Sequence, residues 1–256
     1  MKVFSVVGYT KSGKTTTIEN IILELKKRNY SVGTVKDIHF EQFQIDTEGT
    51  NTHRHKMAGA ELVTARGLYE TDVLFQGKLD IYKIASFYDV DYLILEGVRD
   101  ANVPKIVTAD CIKDLEERMD YSTFLISGKI ADEIDEHKGY QAISALQNVE
   151  KIVDIIEENT FELLPDYDEK CCKACGYNCR ELCSLILKGE KKRSDCIISQ
   201  SNIQLQINGQ DIKMVPFVQN ILKNTIIGVI SELDGYMASG PITVEIGKKT
   251  KDVNKH

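Results

Sequence analysis

The sequence predicts an α/β protein, with a mostly parallel sheet wound by helices on both faces and a smaller C-terminal part made of a cysteine segment and an α+β cap. Three observations carry that expectation. A glycine-bearing loop lies between a short apolar run and an amphipathic stretch. Apolar runs then alternate with helix-period stretches to about residue 160. Beyond that alternation the composition changes, and six of the seven cysteines fall between Cys171 and Cys196.

Lys2 to Val7 is apolar enough for a buried strand and is bounded by Gly8. Gly8-Tyr9-Thr10-Lys11-Ser12-Gly13-Lys14-Thr15 then matches the phosphate-binding pattern G-x-x-x-x-G-K-[ST] at every fixed position. Ile18, Ile21, Ile22 and Leu25 follow at i, i+3, i+4, i+7, the spacing of a helix with one buried face. Strand, loop and helix in that order make a P-loop NTPase. Gly8 and Gly13 let backbone N–H groups curl around phosphate oxygens, and the helix N-terminus adds partial positive charge. Lys14 is expected to reach the β- and γ-phosphates and the Thr15 hydroxyl to ligate Mg²⁺. The nucleotide-binding set is Gly8, Tyr9, Thr10, Lys11, Ser12, Gly13, Lys14, Thr15 and Thr16.

Ser31 to Lys36 is the second strand, at crossover spacing after the first helix. Asp37 to Thr52 is polar and aperiodic, the place for a nucleotide-sensing segment. Asn51 to Ala60 reads as helix, Glu61 to Ala65 and Asp72 to Phe75 as short strands, and Leu79 to Tyr88 as helix. Asp91 to Leu95, Lys105 to Thr108 and Thr123 to Ile126 are strands; Tyr140 to Leu146 and Val149 to Glu158 are helical by spacing. Alternation of this kind implies a mostly parallel sheet covered on both faces.

Pro165-Asp166-Tyr167-Asp168-Glu169 reads as an acidic linker. The expected domains are therefore 1–164, 165–198 and 199–256. The last contains a strand (Ile203 to Ile207), an Asn208-Gly209 hairpin turn, a helix from Val215 toward Leu233 and a strand (Ile242 to Ile246).

Composition excludes several classes. A hydrophobic share of 42% and a charged share of 28% are those of a globular protein with a full core. A net charge of −7 gives no basic field for nucleic acid. No apolar stretch reaches membrane-spanning length, and the N-terminus enters a strand without a signal-peptide pattern, so a cytoplasmic location is expected. In that compartment clustered cysteines read as metal ligands rather than disulfides.

Tyr92-Leu93-Ile94-Leu95-Glu96-Gly97 puts an acid at the carboxyl edge of a strand, where open α/β sheets bind ligands. Glu96 is the candidate to hold the Mg²⁺ shell or orient an attacking water, and Asp46 is a second acid for that shell. His53 and His55 are two apart and share no helix face, so with His39 they read as surface or substrate-contact histidines.

Two blocks point to a family. Lys36-Asp37-Ile38-His39 leads to Ile45-Asp46-Thr47-Glu48-Gly49-Thr50-Asn51-Thr52, Arg54 and Met57-Ala58-Gly59-Ala60; later come Leu95-Glu96-Gly97-Val98-Arg99 and Val103-Pro104-Lys105-Ile106-Val107. Over about residues 1–160 this resembles the molybdopterin-guanine dinucleotide biosynthesis protein B (MobB) family. The resemblance implies a GTP-binding, weakly hydrolysing accessory protein that acts with a guanylyltransferase (MobA-like) on molybdopterin in molybdenum cofactor maturation. It also implies a homodimer. The family's histidine-rich stretch keeps only His39 here, with Asp37 and Phe40 replacing histidines, and its Asp-Ser before the arginine is Asn51-Thr52.

The cysteine segment, from Cys171-Cys172 through Cys175, Cys179 and Cys183 to Cys196, resembles small four-iron cluster domains. Cys172, Cys175, Cys179 and Cys196 are the expected ligands of a [4Fe-4S] cluster. Cys183 lies one helical turn past Cys179 and is its alternative, and a four-cysteine Zn²⁺ site is the rival occupant. A functional rival follows, a nucleotide-switched metallochaperone or iron–sulfur redox module. GTP is expected by resemblance; no guanine-reading N-K-x-D pattern stands in the chain, and Thr108-Ala109-Asp110 is only suggestive.

Overall fold

Strand alternation decides which face each side chain covers, because successive residues point to opposite sides. The computed structural model describes residues 1–40, 43–165, 175–196, 203, 205–207, 210–212, 214, 216–236, 242–244 and 247. The chain divides into two units, Met1–Gln200 and Ser201–His256. The expected boundary after residue 164 falls inside the first.

That unit runs β1 (Lys2–Gly8), α1 (Lys14–Lys27), β2 (Val32–Lys36), α2 (Asn51–Met57), β3 (Leu62–Arg66), β4 (Thr71–Phe75), α3 (Ile81–Ala85), β5 (Tyr92–Glu96), β6 (Lys105–Thr108) and α4 (Ile112–Arg118). It continues with β7 (Thr123–Ser127), β8 (Glu136–His137), β9 (Tyr140–Gln141), α5 (Val149–Asn159), β10 (Phe161–Glu162) and α6 (Cys179–Leu187). The main sheet has the order β2-β5-β1-β6-β7. These five strands are parallel, and β10 pairs antiparallel with the start of β1. Strands β3 and β4 form a separate antiparallel pair.

On one face Phe4, Val6, Tyr92, Ile94, Ile106 and Leu125 meet Ile18, Ile21 and Leu25 of α1 and Ile152, Val153 and Ile156 of α5. On the other, Val3, Leu93 and Leu95 lie with Ala85, Val98 and Val103, and Val7, Val107 and Ile126 lie with Leu115 and Ile130. This is the doubly wound arrangement the sequence predicts. It leaves β1 central, with the loop after it at the carboxyl edge of the sheet.

Several elements differ from expectation. Residues 140–146 form β9 and a following bend, not a helix. Strand β9 pairs antiparallel with β8, Ala142 makes a single parallel bridge to Ile126, and the Ser127 hydroxyl donates to the Ile143 carbonyl at 2.8 Å, so this run is tied to β7 at the edge of the main sheet. Helix α4 has no counterpart in the periodicity because Leu115 is its only buried residue. Helix α3 is shorter than the expected Leu79 to Tyr88 and starts at Asp80, whose side chain accepts from the N–H groups of Tyr82 and Lys83.

The second unit has β11 (Gln206–Ile207) paired antiparallel with β12 (Gln210–Asp211), as the hairpin signal implies, then α7 (Pro216–Ile230). Of the strand expected over Ile242 to Ile246, residues 242–244 are described and are not in a strand. No helix among the described residues is long and apolar enough to cross a membrane.

Candidate nucleotide site

The loop between β1 and α1 turns on two residues with positive φ, Lys11 at 69° and Gly13 at 96°. Gly13 is the left-handed N-cap of α1, so the helix opens directly on Lys14. Gly8 has no room for a side chain. A Cβ there would strike the Thr108 carbonyl and hydroxyl. The loop is braced from behind: Ser12 Oγ lies 2.7 Å from Thr108 Oγ1 on β6, and the Lys129 N–H after β7 donates to the Ser12 carbonyl at 3.2 Å. The Ser12 side chain is buried on this brace, so within the expected binding set Ser12 faces the brace rather than the cavity with its hydroxyl.

An open cavity of about 760 Å³ sits above the loop, within the range of small-ligand sites. Gly8 to Lys11, Gly13 to Thr16, Lys36 and Glu96 line it, with Arg99, Arg118 and Lys129 at its sides. Lys14 curls back, its ammonium donating to the carbonyls of Gly8 at 2.9 Å and Tyr9 at 2.5 Å. Burial pulls its pKa below the ordinary lysine range, with the charges of Lys36 and Arg118 adding to the fall and Glu96 opposing it.

The Thr15 hydroxyl donates to Glu96 Oε1 at 3.3 Å. These are the two residues expected to hold Mg²⁺, and they come together from sequence positions far apart. The donor set, a hydroxyl and a carboxylate oxygen, is the hard oxygen chemistry that Mg²⁺ takes. Lys36 Nζ lies 3.0 Å from the same carboxylate oxygen, a cation already drawn to that position. The sheet register pairs Lys36 with Glu96 across β2 and β5, so the strand-end logic that picks out Glu96 applies equally to Lys36.

Asp46 is not among the residues lining this cavity. Its Oδ1 accepts from the hydroxyls of Thr50 at 2.8 Å and Thr52 at 2.9 Å, and Thr50 caps α2. The Thr50 hydrogen bond, ahead of that from Thr52, holds its carboxyl below the usual aspartate range. Asp46 thus fastens the turn into α2 and lines a second cavity of about 980 Å³. Both cavities are lined by Lys36 to Phe40, His39 included. His53 and His55 lie on α2, which buries no residue. Asp110 pairs with Lys129 at 2.9 Å.

Of the expected thiol ligands, Cys172 lies outside the described residues, as does Cys171. Helix α6 begins at Cys179 with a capping box between Asn178 and Glu181. Cys183 and Cys196 are buried with Phe161, Leu164 and Leu182, and Cys175 and Cys179 pack against that cluster. Burial pushes the Cys183 thiol up to about 12. Among the described residues no three His, Cys, Asp or Glu side chains are grouped to hold a metal ion.

Comparison with known proteins gives relatives of one description. The family model for molybdopterin guanine dinucleotide synthesis protein B matches residues 3–121. A putative molybdopterin-guanine dinucleotide biosynthesis adapter protein of Methanocaldococcus jannaschii is 32% identical, over 96% of this chain and 97% of its own length. A probable adapter protein of the same description from Bacillus subtilis is 29% identical over 56% of this chain and 85% of its own. The crystal structure of Bacillus subtilis MobB superposes with a TM-score of 0.53 at 27% identity, covering 60% of this chain and 98% of that one.

Proposed function

The chain belongs to the molybdopterin-guanine dinucleotide biosynthesis protein B family, and we propose that it is a GTP-binding adapter with weak hydrolytic activity that serves formation of molybdopterin guanine dinucleotide. The observation that carries this reading is the meeting of Lys14, Thr15 and Glu96 around one cavity at the sheet's carboxyl edge. Lys14 would leave the Gly8 and Tyr9 carbonyls for the β- and γ-phosphates. Thr15 and Glu96 would hold Mg²⁺, which supplies charge neutralisation between the phosphates. Glu96, the acid at that edge, is also placed to orient water. Molybdopterin would lie in the second cavity, which shares the Lys36 to Phe40 wall with the nucleotide. The guanylyltransferase partner and the homodimer belong to the same reading.

Glu96→Gln keeps the size of the side chain and removes its charge. Nucleotide binding should be largely retained while single-turnover GTP hydrolysis, slow in the unmodified chain, falls at least tenfold. Unchanged hydrolysis with Mg²⁺ dependence intact would remove Glu96 from the chemistry.

The cysteine segment supports a separate reading, because residues from both ends of it share one apolar cluster and the archaeal relative matches across nearly the whole chain. We assign Cys172, Cys175, Cys196 and one of Cys179 and Cys183 to a [4Fe-4S] cluster or Zn²⁺, a reading that needs these thiols to draw closer together than they stand among the described residues. Anaerobically purified protein should carry iron with sulfide, or zinc. Cys175→Ser and Cys196→Ser should lose that metal, and whichever of Cys179→Ser and Cys183→Ser also loses it identifies the remaining ligand. Metal-free protein from anaerobic preparation would overturn the assignment.

A further inference from the structure

We propose that Arg118 reads the terminal phosphate of the bound nucleotide, held in position by the ring of Tyr9, so that it separates a nucleoside triphosphate from a diphosphate. The proposal rests on the nucleotide reading above and deepens it. Arg118 is the last residue of α4, and its guanidinium carbon lies 3.9 Å from the centroid of the Tyr9 ring. The ring is fixed at its far end, where the Tyr9 hydroxyl donates to Glu117 Oε2 at 2.6 Å. Tyr9 therefore has its hydroxyl tied to one residue of α4 and its face covered by the next.

A guanidinium stacked on a ring keeps its N–H edges free in its own plane. Arg118 lines the phosphate cavity with Lys14, and its Nε is screened from solvent with no hydrogen-bond partner among the described residues. Its charge bears on the Lys14 ammonium. Two cations thus border one space. An anion between them would turn their repulsion into attraction, and a guanidinium fork matches phosphate oxygens in a way an ammonium does not.

Chain geometry says which phosphate. Tyr9 directly follows Gly8, and its carbonyl is one of the two that hold Lys14. The phosphate-loop lysine goes to the β- and γ-phosphates. A group sharing the space of that lysine and entering from α4 rather than from the loop's own N–H groups meets the terminal phosphate last added.

The test titrates the full chain with Mg²⁺ and either a non-hydrolysable GTP analogue or GDP. Arg118→Ala should weaken the triphosphate analogue at least tenfold and leave GDP affinity within about twofold, since one charge-assisted contact is lost from one ligand only. Arg118→Lys should recover part of the loss, and Tyr9→Phe, which keeps the ring but releases it from Glu117, should weaken the triphosphate analogue by less than Arg118→Ala does. Equal losses for both nucleotides, or none for either, would overturn the proposal. If those results come while Lys14→Ala still abolishes binding, the nucleotide reading stands and only the role of Arg118 falls. If the unmodified chain binds neither nucleotide, both fall.

Discussion

Lys14→Ala should lower affinity for Mg²⁺-GTP by two orders of magnitude or more and leave the melting temperature almost unchanged. Two charge-assisted hydrogen bonds to phosphate contribute about 3 kcal/mol or more together, and about 1.4 kcal/mol is tenfold in affinity. The fold loses little. Lys14 is half-buried at the helix start, and the carbonyls of Gly8 and Tyr9 that it holds without nucleotide face an open cavity where water can replace it. Fluorescent-nucleotide binding alongside a thermal melt checks both halves. A variant that melts normally and binds normally would remove the phosphate-loop assignment.

Gly128→Ala should damage stability and binding together, although this residue lies outside the motif. Gly128 has φ 78° and ψ −158°, a conformation that is close to glycine-only. A Cβ there would strike the Ser12 carbonyl and come within 2.8 Å of Thr108 Cβ. Backbone strain alone costs about 1–3 kcal/mol, and relieving the overlap moves Ser12, the back of the loop. We expect a melting temperature lower by several degrees and GTP affinity down at least tenfold. Normal values for both would show that the brace behind the loop is dispensable.

The sequence made the nucleotide site legible because its chemistry is written in consecutive residues and in a strand-end acid. Gly8 to Thr15 carry their own spacing, and Glu96 closes an apolar run, so local sequence is enough to put both on a sheet edge. Gly128 and Ser12 show what could not be read. Their roles come from the parallel neighbours of β1, and the order of strands is not encoded in any one segment. Arg118 was hidden for a related reason: α4 buries only Leu115, so no stripe marks the helix, and nothing local sets its last residue against Tyr9. The misreading of residues 140–146 is tertiary too. Their apolar spacing suits a helix, but the edge of β7 offers Ile126 as a pairing partner. Asp46 matches a family block by sequence; its Oδ1 accepts from Thr50 and Thr52, while its Oδ2 is buried without a hydrogen-bond partner among the described residues.

Calorimetric titration of the unmodified chain with GTP in the presence and absence of Mg²⁺, with ATP in parallel, tests the central claim most directly. One saturable site per chain, tighter with Mg²⁺ and tighter for GTP than for ATP, is the predicted result. No saturable binding of either triphosphate at millimolar concentration, by protein that melts cooperatively, would contradict it.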